Sequence, residues 1–457
     1  LVVLLPLALM PPVWARALPA SRTSDSASPG AVIVKVRPGY IEHGSLVTTT
    51  SAGQVRQWAA AAGAGRAAAL WPAPGTTLNA AFEDDHPGCR TYIVAPDRGV
   101  TADDLARRLE SLPWVEYAEV DRLFSLHTGP DDPLYPRQWH LENTGQPYWS
   151  VVRITGDNND TLASLAGKPG ADVRFQTSYG YSGPRACVPV GIIDTGIETD
   201  HEDITDRLYV NPGEIPGNGI DDDHNSFIDD VYGWDFSGDV SASPINVTGD
   251  NDVSDQIGHG THVAGTVAAT ANNGIGIAGV ADSARVFAIK IFPNAYFSVS
   301  AQAVYYAVMR GARVINMSWG GAYRSRALED ALQYAYAQGV VPVASMGNSG
   351  NDDVYYPGAY STAIGVGAST ADDRLASFST YNDSIDVIAP GQDVLSLRAA
   401  GTDLYAAGSE PGVHIINDRY YIASGTSMAA PHVTGAAAAL LSIAPGLSNA
   451  RVRQILT

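Results

Sequence analysis

The chain is 457 residues long, 45% hydrophobic and 17% charged, with a formal net charge of −20. That length allows a large core and more than one domain, and the composition is globular rather than disordered. The acid excess argues against nucleic acid or an anionic membrane as partner, and clustered carboxylates invite calcium.

Residues Leu1 to Trp14 form an apolar run too short and too rich in proline to span a bilayer. Ala15-Arg16-Ala17 follows with the small-x-small pattern of a signal-peptidase site. Residues 1–20 are therefore predicted to be a signal peptide, incomplete at its start because it lacks Met and a basic leader, and the protein is expected outside the cell. Ser21 to Gly30 reads as a linker. Alternating Ala31 to Val36 predicts a strand, Ala-rich Gln57 to Leu70 a helix, and Tyr92 to Ala95 a strand. Thr101 caps a helix over Ala102 to Leu112, with Asp103 and Asp104 in its first turn, and Val115 to Val120 returns as a strand. This is a small α+β unit. Gly129 to Asp132 marks the boundary after it.

Beyond the boundary, apolar strands alternate with helices. Strands are predicted at Val188–Ile193, Arg285–Phe292, Val314–Trp319, Val340–Ser345, Ala363–Ala368 and Ile385–Ile388. Helices are predicted at His262–Thr270, Ser300–Arg310, Ala327–Gln338 and Ser427–Ser442. Continuous Val/Ile strands between helices imply a parallel sheet covered on both faces, with its chemistry at the carboxyl ends of strands. The last helix, Ala450 to Thr457, carries no evident cap or stop signal, so the chain reads as cut short there. Cys89 and Cys187 fall in different predicted domains and lack zinc spacing, so two unpaired thiols are expected.

Three motifs carry the chemistry. Ile192-Ile193-Asp194-Thr195-Gly196 sets a carboxylate at the end of a buried strand. Gly258-His259-Gly260-Thr261-His262 exposes His259 where a helix begins. Ser424-Gly425-Thr426-Ser427-Met428 puts Ser427 at a helix N-terminus, where free N–H groups favour developing negative charge. A hydroxyl at neutral pH needs a base in reach, and the base needs an orienting carboxylate. Asp194, His259 and Ser427 supply that set, in a known order along the chain. His262 and His432 read as structural, and His140, His201, His224 and His414 show no metal spacing. The N-x-S/T sites at Asn159, Asn246 and Asn382 matter only in a glycosylating host.

The segment from Asn218 to Asp230 contains D-x-D-x-N-x-x-x-D, whose alternate side chains can converge on a hard cation. It offers Asp221, Asp223, Asn225, the carbonyl of Phe227 and Asp229. Ser226 stands where glycine is usual, and Tyr232 where the closing Glu is usual. A solvated acidic loop is the alternative.

Through these motifs the chain, from Asp131 onward, resembles the subtilases, the subtilisin-like serine proteases of peptidase family S8. The resemblance implies a three-layer α/β/α sandwich around a mainly parallel seven-stranded sheet at 128–457, an inhibitory propeptide at 29–125, and endopeptidase activity through an acyl-enzyme. It assigns Asn348, in Gly347-Asn348-Ser349-Gly350, to the oxyanion hole with the Ser427 amide. Substrate would lie along Ser318, Trp319 and Gly320, beside Ser345 and Gly347, with Tyr355 at the base of the first side-chain pocket. A second calcium loop would use Asp132, Asp203 and Asn273 with the carbonyls of Ala271, Ile275 and Ile277. Calcium is the expected cofactor, with no organic one. The expected partners are polypeptide substrates and the chain's own propeptide, on a monomer. A catalytically silent calcium-binding scaffold or adhesion protein is the alternative from another class, and an esterase ranks last because Ser427 lacks the Gly-x-Ser-x-Gly elbow.

Overall fold

The computed structural model describes residues 32–37, 41–42, 45–46, 60–69, 91–121, 129–153, 160–175, 180–238, 249–405 and 412–457. The predicted export segment 1–20, the linker 21–30, Cys89, residues 122–128, Asn159 and Asn246 lie outside the described residues. The chain divides into two compact units, Leu1–Leu126 and His127–Thr457.

In the first unit, β1 (Val32–Val36) lies between β5 (Thr91–Pro96) and β6 (Val115–Val120), and β4 (Ala64–Ala69) adds to β5. All three pairings are antiparallel. A short hairpin, β2 (Ile41–Glu42) with β3 (Ser45–Leu46), stands apart from this sheet. The helix Ala102–Glu110 is capped as predicted, Thr101 Oγ1 accepting from the Asp104 amide at 3.1 Å. Its buried Leu105, Ala106 and Leu109 meet Val32, Val34 and Val94. The helix predicted over Gln57 to Leu70 is corrected, because Ala64–Ala69 is a strand. Gly63, at φ +98°, ends the helical turn at Ala60 and Ala61, and pairing with β5 overrides alanine's helix propensity.

The second unit is built on seven strands in the order β10 (Gly233–Asp235), β11 (Ala284–Lys290), β9 (Val188–Asp194), β12 (Val314–Met317), β13 (Val341–Ser345), β14 (Ile364–Ser369) and β15 (Val387–Pro390). Every pairing is parallel. One face packs against the helices His259–Ala268 and Thr426–Ile443, the other against Phe297–Met309 and Arg326–Ala337. This is the expected three-layer sandwich, with Asp194 at the carboxyl end of a central strand.

Besides the edge strand β10 and the β2–β3 hairpin, two further β elements were not predicted. The hairpin β7 (Pro147–Arg153) with β8 (Asp160–Ala166) is one, and the antiparallel sheet β16 (Val394–Leu397), β18 (Tyr420–Ala423), β17 (Ile415–Ile416) is the other. The final helix, Asn449–Leu456, does carry a cap, since Ser448 Oγ accepts from the Arg451 amide at 3.2 Å. Cys187 is an exposed free thiol. No helix among the described residues is long and apolar enough to cross a membrane.

His140, His262 and His432 are buried. His262 Nε2 lies 3.1 Å from the carbonyls of both Val394 and Tyr421. His432 Nδ1 lies 2.8 Å from the Met428 carbonyl, and its Nε2 lies 2.8 Å from Nδ1 of His140. Burial pushes His262 down to about 3, aided by the neighbouring His259 charge, and pushes His432 down to about 4. The unfolded chain therefore takes up protons below its ordinary imidazole pKa of about 6.5, whereas the folded chain does not. The stability carried by neutral His262 is present above that pH and is lost as pH falls toward the folded value. In guanidinium unfolding, His262→Asn is expected to lower stability at pH 7.5. That deficit should shrink by about 1.4 kcal/mol for each pH unit below 6.5. A deficit constant from pH 7.5 to 5 would overturn the account.

Candidate active site

Strand β9 delivers Asp194 with no exposed surface, and the helix His259–Ala268 starts beside it. Both glycines flanking His259 are required by close approach. Gly258 sits at φ +96° against the Thr402 side chain, and a Cβ at Gly260 would meet the Gly196 carbonyl and Asp194 Cβ. His259 Nδ1 consequently lies 2.7 Å from Asp194 Oδ1, which also accepts the Thr195 amide at 2.8 Å. Burial disfavours the His259 cation. The Asp194 charge, the Asp194 hydrogen bond and then the Asp255 charge outweigh it, holding His259 above its ordinary value.

Ser427 lies in the first turn of the helix Thr426–Ile443, which Gly425 precedes. Its Oγ donates to the Ser318 carbonyl at 2.8 Å, and Ser318 Oγ donates back to the Ser427 carbonyl at 2.7 Å. Asn348 follows β13 by three residues. Its Oδ1 accepts the Thr426 amide at 2.8 Å and the Thr426 hydroxyl at 2.9 Å. That arrangement leaves the Asn348 NH2 free to donate near Gly425, at whose Cβ position it would stand 3.3 Å away. The structure thus brings Asp194 to His259, and Asn348 to the loop before Ser427.

Around them, Trp319 Nε1 donates to the Ile193 carbonyl at 2.7 Å, one residue before Asp194. Gly320 and Gly321 lie beside Tyr355 and Tyr356, Gly321 pairing with Tyr356 as an isolated bridge. Tyr355 packs its ring on Gly347 and bonds through its hydroxyl to Ser349 Oγ at 2.6 Å. Ser345, at the end of β13, is buried.

The family model of the subtilases, peptidase family S8, matches residues 186–457. The chain belongs to the subtilase family. A thermophilic serine proteinase of Bacillus sp. (strain AK1) is 33% identical over 357 residues, 77% of this chain and 69% of the relative. Thermitase of Thermoactinomyces vulgaris is 35% identical over 265 residues, 57% of this chain and 77% of thermitase. A solved protease of Pseudoalteromonas arctica PAMC 21717 superposes with a TM-score of 0.54 at 26% identity, over 72% of this chain and 91% of that one. This subtilase is accordingly a serine-type endopeptidase acting on polypeptides.

Two acidic regions lie in the second unit. In the first, Glu214, Asp221 and Asp223 each bring one oxygen within 4.8 Å of the others. Glu214 escaped the sequence reading because it precedes the D-x-D-x-N spacing by seven residues. Asp229 is engaged elsewhere, its carboxylate accepting the amides of Gly217, Asn218 and Gly219 at 2.8, 3.2 and 2.8 Å. Asn225 turns its Oδ1 to the Phe227 amide at 2.7 Å, and the Phe227 ring packs on Trp234, Phe236 and Tyr306. Asp230, next along the chain, is buried and paired with Arg310 at 2.7 Å.

In the second region, buried Asp132 and Asp203 meet at the loop Ala271–Ile277. Asp132 accepts the amides of Asn272 and Asn273 at 2.9 and 3.3 Å. Asp203 accepts Asn273 Nδ2 at 2.8 Å and the Ile277 amide at 2.9 Å. Burial pushes Asp203 up to about 7, with the charge of Asp132 adding to it.

Asp255, four residues before His259, also went unread. Its carboxylate accepts the Thr195 hydroxyl at 2.8 Å, the amides of Ile257, Gly258 and Thr261 at 3.0, 2.7 and 2.9 Å, and the Thr261 hydroxyl at 2.7 Å. It thereby fixes the start of the His259 helix and adds negative potential beside the imidazole. Asp255→Asn keeps the shape and removes the charge. The His259 ring, followed by NMR titration, is expected to titrate at lower pH in that variant. An unchanged or higher titration point would remove Asp255 from the electrostatics of His259.

Proposed function

We propose that Asp194, His259 and Ser427 are the catalytic triad of a secreted subtilase that cleaves peptide bonds through an acyl-enzyme. The observation that carries this is the 2.7 Å contact between His259 Nδ1 and Asp194 Oδ1, made across 65 residues of sequence. The carboxylate fixes the tautomer that leaves Nε2 as the proton acceptor. Ser427 Oγ turns from the Ser318 carbonyl toward Nε2, gives up its proton and attacks the scissile carbon. The protonated imidazole returns the proton to the leaving amine. Water, activated the same way, then releases the acyl group. The Ser427 amide and Asn348 Nδ2 donate to the oxyanion, and Thr426 aims the latter by holding Asn348 Oδ1.

Substrate lies extended along Ser318–Gly320, beside Ser345 and Gly347, with main-chain pairing giving broad sequence tolerance. Tyr355, laid on Gly347 and tied to Ser349, shortens the first side-chain pocket and favours small residues there.

Residues 1–20 direct export. The unit at 29–125 is an inhibitory propeptide, removed by a cut between about Phe124 and Gly129. The mature enzyme, from about residue 128, works as a monomer outside the cell.

Calcium fits both acidic regions, because each gathers side-chain oxygens and, among the described residues, no Lys or Arg is paired with them. Glu214, Asp221 and Asp223 would hold one ion, and Asp132, Asp203 and Asn273, with the carbonyls of Ala271, Ile275 and Ile277, the other. The ion's part is to neutralise facing carboxylates and stiffen the loops.

Ser427→Ala is expected to lower turnover on the order of a million-fold, the loss established for subtilisin itself, with the fold retained. The wild type should begin near His127 on N-terminal sequencing, and the variant should keep its upstream unit. More than a few per cent residual activity would overturn the triad. Equal trimming of the variant in a protease-free host would overturn self-processing alone.

A chelator is expected to lower the melting temperature by several degrees and added calcium to restore it, since an ion bound only by the folded state stabilises it. Glu214→Gln combined with Asp221→Asn should lose part of that response. Identical melting curves with and without chelator would rule out structural calcium.

A further inference from the structure

Between β16 and β18 the chain makes an excursion whose first residues touch each of the three loops that carry Asp194, His259 and Ser427. The Ala400 amide donates to Glu198 Oε2 at 2.7 Å, four residues after Asp194. The Thr402 side chain, buried, packs on Gly258 where any Cβ would stand, immediately before His259. The Tyr405 hydroxyl both donates to the Ser424 carbonyl and accepts from the Ser424 amide, each at 3.0 Å, three residues before Ser427.

Each contact meets a need of the loop it touches. Ser424 leaves the ladder of β18, which ends at Ala423, so its N–H and C=O lose their strand partners. One phenol satisfies both because a hydroxyl is donor and acceptor at once. Gly258 holds a left-handed conformation that suits glycine, and the Thr402 side chain fills the space beside it.

The segment is itself tied down by hydrogen bonds and ring contacts. Thr402 Oγ1 donates to the Ala399 carbonyl at 2.7 Å, and Arg398 Nε donates to the Thr402 carbonyl at 2.7 Å. Asp403 accepts the Tyr405 and Gly412 amides at 3.2 and 3.0 Å and the Tyr421 hydroxyl at 2.5 Å. The Tyr405 ring lies 4.6 Å from the His414 ring and 6.0 Å from that of Tyr421, so its orientation is fixed by packing as well.

We propose that Ala399–Tyr405 is a brace that sets the spacing of the three catalytic loops, with Tyr405 as a positioning residue for Ser427. The proposal rests on the triad reading above. Its physical basis is that hydrolysis requires the hydroxyl, the imidazole and the oxyanion donors in register to a fraction of an ångström, and a misplacement of about 1 Å costs on the order of a hundredfold in rate. Substrate binding along Ser318–Gly320 does not pass through the brace, so its loss acts on turnover rather than affinity.

The test is steady-state cleavage of a peptide substrate by the mature enzyme, with turnover expressed per serine that reacts with an irreversible sulfonyl fluoride. This counts only folded, reactive molecules. Tyr405→Phe removes one oxygen and keeps the ring. It is expected to lower kcat about tenfold with KM within about twofold of the wild type. Thr402→Ala, which shortens the contact on Gly258, is expected to lower kcat several-fold, again with KM retained. Wild-type kcat in Tyr405→Phe, or a loss confined to KM, overturns the brace. Should Tyr405→Phe yield no folded protein, Thr402→Ala decides alone, and wild-type kcat there overturns the proposal. A wild-type enzyme that does not react with the reagent overturns the triad reading and the brace with it, whereas normal labelling with unaffected variants overturns the brace only.

Discussion

The contact between the Asp194 carboxylate and the His259 ring is the constraint on which the cleft depends. The two side chains come from a strand end and a helix start 65 residues apart, and both ends must be held for the 2.7 Å distance to persist. The strand end is held by parallel neighbours on both sides and by the Trp319 indole on the Ile193 carbonyl. The helix start is held by Asp255, which ties Thr195 of the Asp194 motif to the amides and hydroxyl of the His259 motif. One buried carboxylate thus links two motifs that the sheet alone would leave independent. The same carboxylate helps hold the imidazole above its ordinary value, so placement and basicity share a cause.

What the sequence made legible follows from where the determining interactions lie. Val/Ile strands such as Val188–Asp194 reveal themselves because burial on both faces is written into consecutive residues. The Asp, His and Ser motifs are legible because glycines at fixed offsets mark the turns. Ala64–Ala69 misled because alanine's local preference is helical, while its state is decided by a strand some thirty residues downstream. Thr426, Asp255 and Tyr405 carried no mark at all. Their types are ordinary, and their partners lie 78, 60 and 19 residues away. The same distance effect governs the acidic segment Asn218 to Asp230. The D-x-D-x-N spacing finds Asp221 and Asp223, yet Asp229 is drawn to the amides of Gly217 to Gly219, and Glu214 stands in from upstream.

That segment is also coupled to the layer beneath it. Asp230 is buried against Arg310, with the Tyr306 hydroxyl 2.7 Å from the same carboxylate oxygen. Phe227 enters the aromatic cluster under that segment. A charge so placed is tolerable only while its partner is present. The acidic loop is therefore not an independent appendage, and its geometry is inherited from the helix Phe297–Met309.

The glycines beside His259 limit how this enzyme's lineage can diversify. Gly258 is closed to other residues by its left-handed backbone and by Thr402, and Gly260 by the Gly196 carbonyl and Asp194 Cβ. Neither position offers selection any workable neighbour in sequence space. Tyr355 stands in the opposite situation. It is bound to the fold by one hydroxyl contact and its packing on Gly347. Substitution at Tyr355 thus meets neither the left-handed backbone nor the backbone carbonyl that close the two glycine positions.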